Sequence, residues 1–307
     1  MILSASRRTD IPAYYSEWFT NRLKEGYVLV RNPMNFAQLS RILLSPEVID
    51  CIVFWTKDPH EMLDKLSLIE ELGYRYYFQF TLTPYGKEIE RNLREKEEIL
   101  NTFRRLSDRL GSERVLWRYD PIILNNSLDV EYHTEQFDIL CNKLKGYTKQ
   151  CTISFVDLYH KIKNDLTRDI PEQDIQKLAG VLSETGRRYG LELRACCEKL
   201  DLSRHGILPA NCIDKDTVER VCGYSIEAKE DRNQRPGCGC ISSVDIGVYN
   251  TCKNGCIYCY ANYSDASVTK NFLSHKPDSE LLTGCVKEGE AIKNREMKSL
   301  RKRLYYQ

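Results

Sequence analysis

Short runs of β-branched and aromatic residues recur along the chain and alternate with longer, charged segments of helical period. Such runs are typical of buried strands. Eight of them are found, at ILSAS (2–6), YVLV (27–30), CIVFW (51–55), YRYYFQFTL (74–82), RVLWRY (114–119), CTISFVDL (151–158), LELRAC (191–196) and SVDIGVY (243–249). Amphipathic helices are predicted between most of them, as at 60–73, 87–111 and 171–190, each ending in a glycine.

This alternation predicts an α/β fold, and a (β/α)8-type, TIM-like barrel fits it best because each parallel strand needs a crossover that returns the chain. An open doubly wound sheet is the rival. No strand is followed by a G-x-G-x-x-G or G-x-x-x-x-G-K-[ST] loop, so neither a dinucleotide site nor a P-loop is indicated. We expect residues 1–262 to form the barrel, with the cysteine-rich segment 196–242 inserted before the last strand. Residues 263–307 are expected to form a C-terminal extension that packs on the barrel or trails from it and ends in a basic, helix-like stretch.

Polar residues follow most of the predicted strands. In barrels the catalytic groups gather at the carboxyl ends of the strands. An equally weighted alternative is that T-D-I-P and Y-D-P cap the next helix, since Asp accepts amide hydrogens and Pro fits the first turn. The candidates for cofactor or substrate contacts, chosen by position, are Arg8, Asp10, Lys57, Arg118 and Asp120; Arg7, Asp58, Asp157 and Glu198 are expected at the same edge.

Composition narrows the class of protein. The 307 residues carry 45 basic and 44 acidic side chains, so no global field draws the chain to nucleic acid or to an anionic membrane. No long apolar stretch is present, which predicts a cytoplasmic protein with no membrane partner. Thirteen cysteines are many for a reducing compartment, and ten of them fall between Cys196 and Cys285. Metal ligation explains that clustering better than a disulfide framework.

The sharpest motif is C-x3-C-x2-C at Cys252, Cys256 and Cys259, with Tyr258 before the last cysteine. Three thiolates can hold three corners of a [4Fe-4S] cluster and leave the fourth iron open to another ligand. Zinc is the rival, but it normally takes four ligands, often as paired C-x2-C units, and one such pair occurs here. We therefore favour an iron–sulfur cluster.

The motif resembles the signature of the radical S-adenosylmethionine superfamily, whose three cysteines have this spacing and an aromatic residue before the third. The resemblance implies that the open iron binds the amino and carboxylate groups of S-adenosylmethionine and that the loop around Tyr258 packs near adenine. It further implies an electron donor such as flavodoxin or ferredoxin, and a 5′-deoxyadenosyl radical that abstracts hydrogen from a substrate in the barrel mouth.

In most of that superfamily the cysteines follow the first strand, whereas here they follow the last. A permuted barrel is therefore expected, and a closed ring of strands presents the same rim whichever strand comes first. The stretch at 234–262, together with the opening S-x-R-T-D-I-P-A at 6–13, is similar to a domain-of-unknown-function family that carries the cluster near its C-terminus. That resemblance covers nearly the whole chain and implies no substrate.

A second group of cysteines precedes the motif in the irregular segment. Our hypothesis is an auxiliary iron–sulfur cluster held by Cys197, Cys212, Cys238 and Cys240, with Cys196 or Cys222 as replacements. A structural zinc site and unliganded thiols are the alternatives. Cys51, Cys141 and Cys151 lie in apolar patterns and are expected in the core. The five histidines have no metal-binding spacing and are expected to be structural or exposed.

Two other functions remain open. The C-x-Y-C-Y sequence at 256–260 resembles the radical lyase that repairs spore DNA photoproducts, and the basic tail at 286–307 would then contact nucleic acid. Nucleic acid is the less favoured partner, and a small molecule the more favoured one. A non-catalytic iron–sulfur electron-transfer protein is the other alternative, and it would have no open iron.

Overall fold

The structure is a computed structural model that describes residues 1–156, 171–235 and 237–302. In chain order its elements are β1 (Ile2–Ala5), α1 (Ile11–Tyr14), α2 (Ser16–Glu25), β2 (Tyr27–Asn32), β3 (Asn35–Leu43), β4 (Cys51–Thr56), a 3-10 helix (His60–Lys65), α3 (Leu66–Glu71), β5 (Tyr76–Thr81), α4 (Lys96–Leu110), β6 (Val115–Ile122), α5 (Val130–Leu144), β7 (Gln150–Phe155), α6 (Glu172–Arg188), β8 (Glu192–Ala195), a 3-10 turn (Ser203–His205), β9 (Leu208–Pro209), α7 (Lys215–Cys222), β10 (Ser243–Asp245), α8 (Asp265–Leu273) and β11 (Ala291–Asn294).

Eight strands form one parallel sheet in the order β10-β1-β4-β5-β6-β7-β8-β9. The order rises along the chain without a reversal, and the late strand β10 returns to lie beside β1, where Ser4 pairs with Asp245. The predicted α/β fold is thus confirmed as an eight-stranded parallel sheet flanked by helices. Within the described residues no strand pairing joins β9 to β10, the two ends of this order.

The prediction that YVLV (27–30) belongs to the parallel sheet is wrong. This run lies in β2, which pairs antiparallel with β3, and β11 adds to β3 to make a separate three-stranded sheet. The turn at Pro33 and Met34 is too short for the crossover that a parallel neighbour requires, so the chain reverses into a hairpin. The parallel sheet still has eight strands because the two-residue strand β9, which was not predicted, pairs with β8.

Residues on the two faces of the parallel sheet enter different clusters, as expected when successive side chains point to opposite faces. Leu3, Ile52 and Phe54 pack with the helices in the main core. Ile2 and Val53 face the other way and pack with residues of the cysteine-rich segment between β8 and β10. That segment therefore covers the second face of the sheet.

Two helix predictions need correction. Helix α4 begins at Lys96 rather than near residue 87, because a capping box of Glu95 and Glu98 starts it there and residues 87–95 form the approach to it. The C-terminal stretch predicted as helix-like contains β11, whose residues find unpaired backbone groups on β3. Residues 303–307 of that basic tail lie outside the described part. Helix α6 and the glycines that end the predicted helices are found as expected.

In the part of the chain that the structure describes, no helix has both the length and the apolar character needed to cross a bilayer.

Candidate functional site

The motif cysteines lie in one loop, residues 250–262, that follows β10. The loop is closed on itself, because the Asn250 amide donates to the Ala261 carbonyl at 2.9 Å and the Asn262 side chain donates to the Cys252 carbonyl at 2.7 Å. A further turn is formed where the Cys259 amide donates to the Cys256 carbonyl at 3.1 Å. The backbone therefore holds the three cysteines in one rigid unit.

The segment that follows β5 fixes this loop from outside. The Ile257 amide donates to the Ile89 carbonyl at 3.0 Å, and the Asn92 amide donates to the Asn254 carbonyl at 3.1 Å. Gly255 sits at this contact with φ of 67°, and a Cβ there would lie 2.8 Å from the Asn92 side-chain nitrogen. Both its left-handed conformation and the close approach favour glycine.

Asp10 ties the opening segment to the motif loop. Its carboxylate caps α1 by accepting from the Ala13 amide at 3.1 Å, and it also accepts from the Lys57 amide at 2.8 Å and the Asn254 side chain at 3.1 Å. Burial raises the pKa of Asp10 to about 6, while these donors oppose the rise. The helix-capping alternative is thus confirmed for this residue, which joins three segments at one point.

A cavity of about 550 Å³ lies at the carboxyl ends of the strands. The loops that follow β1, β4, β7, β8 and β10 and the end of β6 itself all contribute to its wall. All the principal residues predicted for the site line it: Arg8, Asp10, Lys57, Arg118, Asp120, Cys197, Cys212, Cys238, Cys240, Cys252, Cys256, Tyr258 and Cys259. The structure therefore brings residues that are distant in sequence into one space.

Glu90 is a buried hub of this site that the sequence did not reveal. It accepts from Lys57 Nζ at 2.7 Å and from Thr83 Oγ1 at 2.8 Å, and also from Lys96 and the Tyr258 hydroxyl. Burial alone would raise the pKa of Glu90, but the two ammonium groups outweigh it and lower that pKa to about 2. Glu90 falls within a stretch predicted as helix, and no local signal marks it.

Arg118 connects the cavity wall to the second cysteine group. Its guanidinium pairs with Asp120 and places Nη1 3.1 Å from Cys212 Sγ. The same group lies 5.5 Å from the ring centre of Trp55, and Ser154 donates to Asp120 from the next strand. The candidates Arg118 and Asp120 are therefore paired with each other and held by neighbouring side chains, although about 20% of the Asp120 side chain stays exposed.

Arg7 and Arg8 differ in their partners. Arg8 lies 4.0 Å from the Asp245 carboxylate and 5.2 Å from the Tyr249 ring centre, and about 25% of its side chain is exposed. Arg7 lies 5.1 Å from the Trp55 ring centre, and its Nη2 is buried with no hydrogen-bond partner among the described residues. Buried hydrogen-bond donors in proteins nearly always have an acceptor. We therefore expect a group bound in the cavity to supply one for Arg7 Nη2.

Burial raises the pKa of all three motif thiols. For Cys256 the pKa rises to about 12, even though the ammonium of Lys57 opposes the change. Burial also raises the pKa of Cys252, with Asp10 adding to the effect, and that of Cys259. Buried thiolates are costly unless a positive centre compensates them, and a metal centre does so by displacing the thiol protons.

The donor set of the motif loop fits a [4Fe-4S] cluster. Its three thiols line one cavity, and the loop offers no fourth cysteine. Three thiolates can each bind one iron of a cubane and leave the fourth iron open, whereas a structural zinc ion normally takes four protein ligands.

The second cysteine group also lines the cavity. Cys196 Sγ lies 3.0 Å from Cys212 Sγ, and Cys240 Sγ accepts from the Ile213 amide at 3.4 Å. Cys197 and Cys238 complete the group. Cys222, considered as a replacement ligand, lies elsewhere and donates to the Asp50 carbonyl at 3.0 Å.

Several other candidates have structural partners. Asp58 lies away from the cavity and forms a bidentate pair with Arg94 at 2.6 and 2.7 Å. Glu198 accepts from the Phe155 amide at 2.8 Å. His133 is buried between the Tyr119 hydroxyl and the Ile123 carbonyl, as expected of a structural histidine. Asp157 and His160 lie outside the described residues. Cys51, Cys141 and Cys151 are buried as predicted.

Comparison with known proteins identifies the family and no function. No curated protein matches the chain in sequence. Residues 2–261 match the family described as Domain of unknown function (DUF1848), and because this match spans most of the chain, the protein belongs to that family.

Proposed function

We propose that this protein is a radical S-adenosylmethionine enzyme whose [4Fe-4S] cluster is held by Cys252, Cys256 and Cys259. The observation that carries the proposal is the position of the motif loop. It follows a strand of the parallel sheet and opens on the same cavity as charged side chains from β1, β4 and β6. Three sulfur donors beside a space of ligand size are what a cluster with an open iron requires.

The sheet itself supports a permuted barrel as the scaffold. Its strand order rises steadily from β1 to β9, and β10 returns beside β1, which is the order of a barrel cut between β9 and β10. A doubly wound sheet would reverse its order at a switch point. We infer that β9 and β10 stand on either side of the remaining gap, which the cysteine-rich segment fills from the inner face.

When bound, the cluster would supply one electron to cleave the S–C5′ bond of S-adenosylmethionine, leaving a 5′-deoxyadenosyl radical to abstract hydrogen from the substrate. The protein's part is to hold the cofactor in the cavity. Arg8 has a partly exposed guanidinium whose contacts to the Asp245 carboxylate at 4.0 Å and the Gly247 carbonyl at 3.4 Å are both long, so it is suited to bind a carboxylate. Asp120 keeps an exposed fraction and is suited to accept hydrogen bonds from hydroxyl groups.

The other predicted residues act as positioning residues. Asp10 accepts hydrogen bonds from Ala13, Thr56, Lys57 and Asn254 and so fixes the loop. Lys57 is held by Glu90 and lies 5.5 Å from the Tyr258 ring centre, so it orients the aromatic residue of the motif. Arg118 is held by Asp120 and Cys212. The substrate is not assigned.

The test is anaerobic reconstitution with iron and sulfide, reduction with dithionite in the presence of S-adenosylmethionine, and measurement of 5′-deoxyadenosine. We expect the wild-type protein to form it and Cys256→Ala to lose it, because this variant removes one corner of the cluster. Cys285→Ala is the matched control, since Cys285 is exposed and does not line the cavity. A reconstituted cluster that yields no 5′-deoxyadenosine, and whose paramagnetic spectrum ignores the cofactor, would favour an electron-transfer protein instead.

A further inference from the structure

We propose that the same cavity holds a second iron–sulfur cluster, bound by Cys197, Cys212, Cys238 and Cys240 and closed to outside ligands. This site goes beyond the proposed function and does not depend on it. Its four thiolates come from three separate segments that the fold brings to one wall. They lie after β8, before α7 and before β10.

The thiols of this group are already in mutual contact. Cys212 lies within hydrogen-bonding reach of Cys240, and Cys238 lies within reach of both Cys240 and Cys197. The neighbouring Cys196 lies 3.0 Å from Cys212 between sulfurs. A group of thiols drawn together in this way is preorganised for a shared metal centre.

Cys197 has an unusual backbone conformation that places its side chain in this group. Adjacent residues of a strand point to opposite faces, so Cys196 and Cys197 would be expected to diverge. Cys197 instead has φ of 53°, in the left-handed region, and both side chains line the cavity. A non-glycine residue in that region is strained, and such residues cluster at functional sites.

Two guanidinium groups, those of Arg7 and Arg118, lie close to the second cysteine group. Arg118 Nη1 lies 3.1 Å from Cys212 Sγ, and Arg7 has a buried Nη2 with no acceptor among the described residues. Asp120 is already paired with Arg118. A cluster with four thiolate ligands carries net negative charge, and hydrogen bonds to its sulfurs are a regular feature of such sites. A cluster bound here would accept a hydrogen bond from Arg118 and would give Arg7 Nη2 the acceptor that the described residues do not supply.

The arrangement favours an iron–sulfur cluster over zinc. Structural zinc sites of four cysteines are usually built from two C-x2-C units, whereas this group combines C-x-C with cysteines from two other segments. The group also lines the cavity, whereas a zinc ribbon closes around its metal ion. With four protein ligands it would have no open iron, in contrast to the motif loop.

The test compares metal content in two sets of variants purified anaerobically. We expect about eight irons per chain in the reconstituted wild type and about four in the triple variant Cys252→Ala, Cys256→Ala, Cys259→Ala. The double variant Cys238→Ser, Cys240→Ser should also keep about four, and Cys141→Ala should keep about eight. Circular dichroism of the triple variant checks that it is folded.

A second readout separates the two sites. In the reduced triple variant the paramagnetic signal should not change when S-adenosylmethionine is added, because every iron is held by a protein thiolate. A triple variant without iron, or a wild type with about four irons and about one zinc, would overturn this inference and leave the proposed function standing. A wild type that holds about eight irons but forms no 5′-deoxyadenosine would support the second cluster and overturn the proposed function.

Discussion

The two groups of cysteines on the cavity wall are built in different ways. The motif cysteines share one loop, which is closed on itself by backbone hydrogen bonds and by one from the Asn262 side chain. The second group is assembled from three segments, and its members contact one another and a guanidinium group. A local motif can therefore be identified from spacing alone, whereas an assembled group depends on the whole sheet being in place.

The supports of the two groups differ as well. The motif loop rests on a cluster in which Ile257 and Tyr258 pack against Tyr85 and Ile89, close to the buried His133. The second group packs on the inner face of the sheet. Perturbing one support should therefore affect one group more than the other.

The largest expected effect is that of Glu90→Gln. Glu90 is the shared partner of Lys57 and Lys96, and its loss leaves the ammonium of Lys57 buried without a counter-charge. Removing one partner of a buried pair costs about 3–5 kcal/mol. We expect that loss in the free energy of unfolding of the metal-free protein, measured by urea titration.

The control is Asp138→Asn, which breaks the exposed pair with Arg188 and should change stability by less than about 0.5 kcal/mol. Iron held by the second group should survive Glu90→Gln, while 5′-deoxyadenosine formation falls. Equal losses from both groups would show that they are not independently supported.

A pH-dependent effect should arise from His133 beneath the motif loop. Burial lowers the pKa of His133 to about 4, below the value of about 6.5 in an unfolded chain. The unfolded state therefore binds the proton first, so this contribution to stability is complete above pH 6.5 and is lost as the pH falls towards 4. The loss is about 3 kcal/mol.

The measurement is urea unfolding at pH 7 and pH 4.5 for the wild type and for His133→Gln. The variant lacks the titrating group and should lose less stability between these two pH values. An identical pH dependence in both proteins would show that His133 does not cause the loss of stability at low pH.

The smallest effects come from a pair of glycines, one beside each group. A Cβ on Gly247 would lie 2.0 Å from Ser6 Oγ, and Ser6 is fixed by a 2.7 Å hydrogen bond to Asp245. A Cβ on Gly239 would lie 2.5 Å from the end of the Asn211 side chain, which can rotate away. We expect Gly247→Ala to cost about 1–3 kcal/mol by overpacking and Gly239→Ala to cost less. Thermal unfolding measures both, and a reversed order would contradict the difference in rigidity.

Much of the parallel sheet could be predicted because its strands are buried on both faces and read as continuous apolar runs. The run YVLV has the same character, yet it forms β2 of the small sheet. Its partner β3 mixes four polar residues, Asn35, Gln38, Ser40 and Arg41, with its apolar ones, so it is not recognised as an apolar run. The choice between the two sheets depends on the short turn between β2 and β3 and on long-range pairing, neither of which hydrophobic periodicity records.

Sequence alone determined the motif loop and the set of polar residues at the strand ends, because cysteine spacing and strand-end position are local properties. Only the tertiary structure decided that Glu90 neutralises Lys57 and Lys96, and that Cys197 turns to the same side as Cys196. Those outcomes depend on which side chains meet across the cavity and on a single backbone angle. The physical reason is that burial and charge pairing are set by neighbours in space, which are distant in the chain.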